Sequence, residues 1–170
     1  MSEAQIWDVI VVGAGNAALC AALSAAEQGA KVLVLEKATL EDRGGNSTFT
    51  AGGFRFCHNG VDDLRSDILD DLTSGEYDSI GNLPTLSEDE FMATLMKVTD
   101  HQADEDLGRI LIGQSRDVMR WMRSHKIRFI PMFGRQSFKI EGKHHFYGGV
   151  NIEAVGGGWD VAAEKTAAAG

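Results

Sequence analysis

The chain has 170 residues and a formal net charge of −9 at pH 7, which is enough length for one domain or for the first part of a larger one. Hydrophobic residues make up 44% of the sequence, which argues against wholesale disorder. The acidic balance argues against nucleic acid as a partner, because nucleic-acid binding needs basic patches that replace counterions.

The cysteine pattern and the start of the chain indicate the compartment. Cys20 and Cys57 form neither a CxxC pair nor a disulfide framework, so we expect a reducing, cytoplasmic setting. The first residues lack the basic flank and cleavage site of a signal peptide. The longest apolar run, 9–12, is too short to span a bilayer, so any membrane association is expected to depend on a partner.

The first elements follow the order strand, turn, helix, strand. Residues 6–12 are a near-continuous β-branched run, which predicts a parallel strand buried on both faces. Residues 16–28 are rich in Ala and Leu and predict a helix. Residues 31–35 predict the second strand, so the three elements form a βαβ unit.

The middle of the chain is predicted to be loop and helix. Residues 38–60 are rich in Gly, Ser, Thr and Asn and predict a functional loop. Apolar spacing predicts a helix at 61–72, and the capping box at 87–90 predicts a helix through about Thr99. Asp104 is expected to cap a longer helix. The apolar face of that helix is predicted to contain Leu107, Leu111, Val118 and Met122.

The last third alternates strand, loop and helix signals. Residues 127–130 predict a short strand that Pro131 ends, and residues 133–158 are glycine-rich with an aromatic cluster. An Ala-rich helix is predicted at 159–169. In an α/β fold such a helix normally feeds another strand, so we expect residues 1–170 to be an amino-terminal fragment of a longer protein.

The glycine turn after the first strand indicates a dinucleotide site. Gly13 permits a tight turn, Gly15 lets a diphosphate approach the backbone, and Ala18 lets helix and strand pack closely. Backbone N–H groups and the helix dipole then face the anion. Glu36, at the end of the second strand, can accept hydrogen bonds from ribose hydroxyls and would repel a 2′-phosphate, which disfavours NADP.

A second glycine-rich segment, GGNS at 44–47 running to AGG at 51–53, replaces the helix that usually follows in an NAD-binding domain. With this segment, the sequence resembles the fumarate reductase/succinate dehydrogenase flavoprotein family, most closely its FAD-dependent tricarballylate dehydrogenase branch. The similarity covers essentially the whole chain. The matching segments are 11–24, 35–37, 43–47, 51–53, 120–123, 133–139 and 155–158.

The resemblance implies an α/β fold. It implies a Rossmann-like βαβ FAD-binding domain of the glutathione-reductase-like flavoprotein type, incomplete in this chain and with an added helical segment. The remainder of the FAD domain and a substrate-capping domain are expected to be absent. The expected parts are the βαβ unit at 5–37, the flavin loop at 38–60, a helical segment at 61–126, a glycine-rich and aromatic segment at 127–158, and a crossover helix at 159–169.

The resemblance also implies bound FAD. Ala17 and Glu36 would lie along its ADP half, and Asn46 and Ser47 would hold the diphosphate and the flavin side. Gly52 and Gly53 would lie under or beside the isoalloxazine. A histidine that bonds covalently to flavin in succinate dehydrogenases is replaced here by Asn46, so the expected FAD is non-covalent. The candidate cofactor-binding residues are Gly13, Gly15, Asn16, Ala17, Ala18, Glu36, Lys37, Gly45, Asn46, Ser47, Ala51, Gly52 and Gly53.

Two alternative roles are open for each of the other polar residues. The histidines lack metal-ligand spacing, so no metal is expected. His58 and the pair His144 and His145 either contact substrate or flavin, or serve packing and surface roles. Arg55, Arg135 and Lys139 either attract a polycarboxylate or are solvated charges. Residues 62–106, which are strongly acidic, form either solvated helix faces or a docking surface for a basic partner.

The resemblance implies an FAD-dependent dehydrogenase that converts a tricarballylate-like acid to its alkene, of the cis-aconitate type. Its substrate would be a small polycarboxylate, and its electrons would pass to an iron–sulfur or membrane partner. The catalytic residues of such proteins lie beyond residue 170, so they stay unassigned and this chain alone is expected to be inactive. Two alternatives remain open: a related flavoenzyme that acts on fumarate or a ketosteroid, and a non-catalytic binding module that uses the acidic segment.

Overall fold

A computed structural model describes residues 5–156 of the chain. These residues have a mixed α/β architecture with small sheets. The chain divides into two compact units, the first including residues 5–52 and the second Gly53–Gly156. The helix predicted at 159–169 lies outside the described residues.

The first unit contains the predicted βαβ order. Strand β1 is Val9–Val12, helix α1 is Asn16–Glu27, and strand β2 is Val32–Leu35. The two strands pair in parallel, with Val9 opposite Val32 and Val12 opposite Leu35. A parallel pair needs a crossover connection, and α1 provides it.

The prediction that the first strand is buried on both faces is wrong for the described residues. Ile10 and Val12 are 58% and 81% exposed, whereas Val9 and Val11 are half-buried. Alternation along the strand puts these two pairs on opposite faces. Within residues 5–156 the sheet consists of β1 and β2, so the face that carries Ile10 and Val12 has no cover there.

The second unit combines two three-stranded sheets with five helices among its described residues. One sheet has the antiparallel order β3-β8-β5; the other has the order β4-β7-β6, with β4 parallel to β7. Its elements are β3 (Gly53–Phe54), α2 (Val61–Leu64), α3 (Ser74–Asp78), β4 (Ile80–Asn82), α4 (Glu88–Val98), α5 (Glu105–Gly113), α6 (Ser115–Ser124), β5 (Phe129–Pro131), β6 (Ser137–Ile140), β7 (Lys143–Phe146) and β8 (Ile152–Ala154).

The core of the second unit lies around Phe56 and Phe129, which are both fully buried. Phe54 meets Phe129 edge to face, with ring centroids 5.6 Å apart, a favoured geometry for aromatic pairs. The buried residues of this core are Phe56, Leu64, Ile68, Leu69, Leu72, Leu83, Met119, Phe129, Phe146 and Ile152.

The helix predicted at 61–72 is shorter than expected. Helix α2 ends at Leu64, and turns follow. The apolar positions of the pattern, Leu64, Ile68 and Leu72, are nevertheless buried. Ser66 Oγ donates to the carbonyl of Asp63 at 2.8 Å, and such local side-chain bonds compete with helix propagation. The spacing therefore identified the buried residues correctly but not the helix length.

The start of the next helices agrees with the sequence. Ser87 and Glu90 form the predicted capping box at α4, and Asp104 caps α5 by accepting the Leu107 N–H at 3.0 Å. Both caps satisfy backbone donors that have no partner inside the helix.

The apolar face predicted for the helix after Asp104 is largely wrong. The structure has two helices, α5 and α6, separated at Gln114. Leu107, Leu111 and Val118 are 64%, 59% and 46% exposed, whereas Ile112 and Met119 are buried. A Cβ at Gly108 would lie 3.1 Å from Leu95 Cδ2 and from Met92 Cε. Gly108 therefore brings α5 close to α4 and turns Ile112, not Leu111, toward the core.

The described part of the segment 127–158, residues 127–156, contains more strand than predicted. Strand β5 extends through Pro131, and the glycine-rich stretch that follows forms β6, β7 and β8. Glu141 and Gly142 connect β6 to β7 with φ values of 50° and 81°, the backbone of a two-residue hairpin turn. Among residues 5–156 no helix is both long and apolar enough to cross a membrane.

The acidic segment pairs with arginines of the same chain. Arg116 bonds Asp63 and Asp67, Arg120 Nε lies 2.6 Å from Asp67 Oδ2, and Arg123 Nη2 lies 2.7 Å from Asp70 Oδ1. We call this set of residues the arginine ladder. It comprises Asp63, Asp67, Asp70, Asp71, Glu76, Arg116, Arg120, Arg123 and Arg128.

The ladder accounts for part of the acidic segment. The hydrogen bond from Arg116 holds the pKa of Asp63 below its usual value. At Asp67, burial raises the pKa, but hydrogen bonds from Arg116 and Arg120 outweigh it and leave the pKa lowered. These carboxylates are therefore charged and paired within the chain, whereas Glu88 and Asp89 of the same segment are exposed. A docking surface for a basic partner stays a prediction.

Candidate functional site

The glycine turn connects β1 to α1. Gly13 has φ 103°, which favours glycine, and its N–H donates to the Leu35 carbonyl at 2.6 Å. Gly15 is the N-cap of α1, with φ −78° and ψ 177°, a conformation open to any residue. A Cβ at Gly15 would lie 3.5 Å from Ser47 Oγ, an ordinary contact. The surrounding protein therefore requires glycine at position 13 but not at position 15.

The first turn of α1 presents free donors. No side chain caps the helix, and in the part of the chain that the structure describes the N–H groups of Ala17 and Ala18 bond no acceptor. Such groups, together with the helix dipole, attract an anion. The open side of Gly15 gives that anion access to the backbone.

Glu36 joins the turn to the loop that follows β2. Its Oε2 accepts the Ala14 N–H at 2.7 Å, and its Oε1 accepts the Ala38 N–H at 2.8 Å. The backbone hydrogen bond from Ala38 contributes most to lowering the pKa of Glu36, so its carboxylate is charged at neutral pH. Each carboxylate oxygen has a second lone pair for a further donor.

The second glycine-rich segment folds into a 3₁₀ helix at Gly45–Phe49. Ser47 Oγ accepts the Asn16 N–H at 3.1 Å, which brings this segment against the start of α1. Gly44 has φ 105°, and a Cβ there would lie 2.6 Å from Thr48 Oγ1. Gly44 is therefore required by the turn itself.

These pieces enclose one open cleft of about 700 Å³ within the first unit. Nine of the sequence-predicted site residues line it together. They are Gly13, Gly15, Asn16, Ala17, Ala18, Glu36, Gly45, Asn46 and Ser47.

Four predicted residues do not line that cleft. Lys37, Ala51 and Gly52 belong to the first unit but are not among its lining residues. Ala51 and Gly52 have φ values of 56° and 66°, so they form a tight turn just before the second unit. Gly53 is the first residue of the second unit.

Sequence reasoning missed several lining residues: Val11, Val12, Ala14, Ala38, Asp42 and Gly44. The two adjacent glycines at 44–45 could have indicated that Gly44 lines the cleft together with Gly45. The contribution of Ala14 and Ala38 comes from backbone N–H groups, and no side-chain pattern indicates which backbone groups will face a carboxylate.

Three histidines of the second unit, His58, His144 and His145, lie in packed surroundings. His58 is 5% exposed, and its Nδ1 accepts the Gly60 N–H at 3.2 Å. Burial lowers its pKa to about 4, so the ring is neutral at pH 7. His144 Nδ1 lies 2.8 Å from Ser137 Oγ, and His145 stacks on Phe138. No three His, Cys, Asp or Glu residues within 5–156 are grouped so that they could hold a metal ion.

The βαβ unit and its cleft define the class of dinucleotide-binding α/β proteins. The residues fit such a ligand, because free helix N–H groups, an open glycine and a charged carboxylate line one cleft. The chain belongs to the FAD-binding domain family, whose model matches residues 8–157. Its cofactor is FAD.

Three similar proteins extend the comparison. The vinyl phenol reductase of Lactiplantibacillus plantarum is 28% identical over 129 residues, covering 76% of this chain and 22% of that protein. The probable fumarate reductase Ifc3 of Shewanella frigidimarina is 30% identical over 145 residues, covering 85% and 21%. A fumarate reductase (cytochrome) of Shewanella frigidimarina is 28% identical over 149 residues, covering 86% and 22%. The chain therefore spans about a fifth of the length of these relatives.

Proposed function

We propose that this chain supplies the dinucleotide-binding part of an FAD-dependent oxidoreductase. The observation that carries the proposal is the hydrogen bond from Asn16 N–H to Ser47 Oγ, which closes two glycine-rich motifs around one cleft. FAD, when bound, supplies two-electron oxidation and reduction. The residues of the cleft bind and orient it.

Each part of the cleft has a role in this proposal. The N–H groups of Ala17 and Ala18 hold the diphosphate, and Gly15 leaves room for it. Glu36 accepts ribose hydroxyls on its remaining lone pairs and repels a 2′-phosphate, so FAD is favoured over NADP. Asn46 occupies the position at which the resembling succinate dehydrogenases carry a histidine, and therefore the cofactor is held without a covalent bond.

The proposed reaction is the oxidation of tricarballylate to cis-aconitate in the cytoplasm, with electrons passed to an iron–sulfur or membrane partner. The resemblance of the whole sequence to the tricarballylate dehydrogenase branch supports the substrate. The second candidate is the reverse type of chemistry, reduction of a fumarate-like alkene, which the names of the similar fumarate reductases favour. Both candidates take a small polycarboxylate.

The test uses the protein that carries residues 1–170. Purified protein is titrated with FAD, NAD and NADP, followed by flavin absorbance and fluorescence. It is then assayed for tricarballylate oxidation with an artificial electron acceptor and for fumarate reduction with an artificial donor. Flavin retained through gel filtration and released by acid would support non-covalent FAD. A colourless protein that refuses added FAD and binds NAD would overturn the proposal.

A further inference from the structure

Arg55 differs from the arginines of the ladder. Within residues 5–156 no carboxylate lies within ion-pair distance of its guanidinium, whereas Arg116, Arg120, Arg123 and Arg128 each pair with at least one. Its one side-chain hydrogen bond in these residues runs from Nη2 to Thr94 Oγ1 at 3.2 Å. Its Nε is buried without an acceptor. A buried N–H donor that has no acceptor costs free energy.

The residues around the Arg55 guanidinium hold it in place. Its central carbon lies 4.8 Å from the ring centroid of Phe91, a stabilising cation–π arrangement. A Cβ at Gly149 would come within 1.7 Å of Nη1, so the absence of a side chain at position 149 makes room for the guanidinium. Phe91, Thr94 and Gly149 thus hold Arg55 from two separate segments of the second unit.

Glu90, whose pKa the charge of Arg55 helps to lower, forms no ion pair with this cation within residues 5–156. Glu90 Oε2 is engaged by the Ser87 N–H at 3.0 Å and by Ser87 Oγ at 2.8 Å. The backbone hydrogen bond from Ser87 contributes most to the lowered pKa of Glu90, and the charge of Arg55 contributes least. The guanidinium is therefore held in one orientation, and no carboxylate of residues 5–156 pairs with it.

We propose that Arg55 is the binding residue for a carboxylate group of the substrate. This inference rests on the polycarboxylate substrate class of the proposed function. A planar guanidinium matches a carboxylate through parallel N–H donors, which a lysine cannot reproduce. The hydrogen bond to Thr94 fixes the rotation of the guanidinium, and the ring of Phe91 packs against one face of it. Arg55 thereby selects anionic alkenes and alkanes over neutral ones.

The test follows the arginine Nε–H signals in nitrogen-15 NMR spectra of the protein that carries residues 1–170. The Arg55 signal is identified by its loss in Arg55→Lys. Tricarballylate is expected to move that signal saturably, and vinyl phenol, which is neutral, is expected to leave it unmoved. Arg55→Lys is expected to weaken tricarballylate binding by about tenfold.

Two further variants keep the test independent of folding effects. Thr94→Val removes the oxygen that orients the guanidinium and is expected to weaken binding while the circular dichroism spectrum stays native. Arg65→Lys changes an exposed arginine that also lies over an aromatic ring, 4.2 Å from that of Tyr77, and is expected to change nothing.

The outcomes separate this inference from the proposed function, because FAD binding is measured in parallel. FAD binding without a tricarballylate-induced shift at Arg55 would overturn the role of Arg55 alone. An equal response to inorganic phosphate would also overturn it, because the site would then be a general anion site. Equal tricarballylate affinity in the parent chain and in Arg55→Lys would overturn it as well.

Discussion

Ser47 Oγ accepts the backbone N–H of Asn16 across 31 positions of sequence, at 3.1 Å. This contact ties the second glycine-rich segment to the first turn of α1. It also satisfies the Asn16 N–H, one of the backbone donors at the helix start that have no partner inside the helix. The N–H groups of Ala17 and Ala18 remain available in the cleft. The two motifs therefore act as one site, although each is recognisable separately in the sequence.

Replacement of Ser47 by alanine tests this link. Ser47→Ala removes the acceptor, and we expect the free energy of unfolding to fall by about 1 kcal/mol and FAD affinity to fall at least about tenfold. Urea denaturation and flavin fluorescence measure the two effects. Thr48→Ala is the matched control, because Thr48 Oγ1 donates within the loop to Arg43 at 3.3 Å and does not reach α1. Equal FAD affinity in both variants would contradict the role of Ser47.

Two glycines of the first turn should respond differently to alanine. Gly15→Ala meets only ordinary contacts, so we expect stability to change by less than about 1 kcal/mol while the FAD affinity falls. Gly13→Ala places a Cβ at φ 103° and is expected to lose at least about 1 kcal/mol of stability. Thermal unfolding with and without FAD distinguishes the two. The interpretation of Gly15 is wrong if its alanine variant binds FAD as the parent does.

The arginine ladder predicts an unequal cost of losing its arginines. Arg116 is 18% exposed at its side chain and pairs with both Asp63 and Asp67. Arg116→Met therefore leaves Asp63 without its ion pair and leaves Asp67 with Arg120 alone. We expect a loss of about 2 to 3 kcal/mol, reduced from the fully buried case because water reaches both acids. Arg109→Met breaks an exposed pair with Glu105 and should cost less than about 0.5 kcal/mol. Urea denaturation of both variants at low salt provides the comparison.

His58 predicts a specific dependence of stability on pH. Its pKa is lowered by burial from 6.5 to about 4, so the unfolded chain binds the proton first as the pH falls. Stability should therefore decline between about pH 6.5 and pH 4 and stop declining from this cause below that range, with a total loss of about 3 kcal/mol. Urea denaturation over this pH range measures the slope.

His58→Asn should flatten that slope, because asparagine can still accept the Gly60 N–H but does not titrate. His101→Asn is the control: His101 is exposed and has φ 59°, a conformation that asparagine tolerates. An unchanged slope in His58→Asn would show that another group carries the pH dependence.

The parts of the fold that the sequence predicted are those set by neighbouring residues. The strand, glycine turn and helix of 9–27 follow from local composition, and so do the caps at Ser87 and Asp104. The cleft could be predicted because a carboxylate at the end of the second strand, Glu36, is typical of a dinucleotide site. The adjacent glycines at 44–45 marked the second segment that lines it. Backbone contributors such as Ala38 gave no such signal.

The parts that were missed depend on partners distant in sequence. The face of α5 is set by the close approach of Met92 and Leu95 to Gly108, and Leu111 has the same apolar character as the buried Ile112. Strands β6 and β7 contain Lys139 and Lys143, residues with weak strand preference. Their pairing depends on the turn at Glu141 and Gly142, which composition alone describes only as a loop.

Glu36 accepts hydrogen bonds from two backbone N–H groups, that of Ala14 in the glycine turn and that of Ala38 in the loop. An aspartate is one methylene shorter and could span only one of them. The position therefore constrains the length of the side chain as well as its charge. A swap between the two acids, usually regarded as mild, should release either the turn or the loop even though the carboxylate is retained.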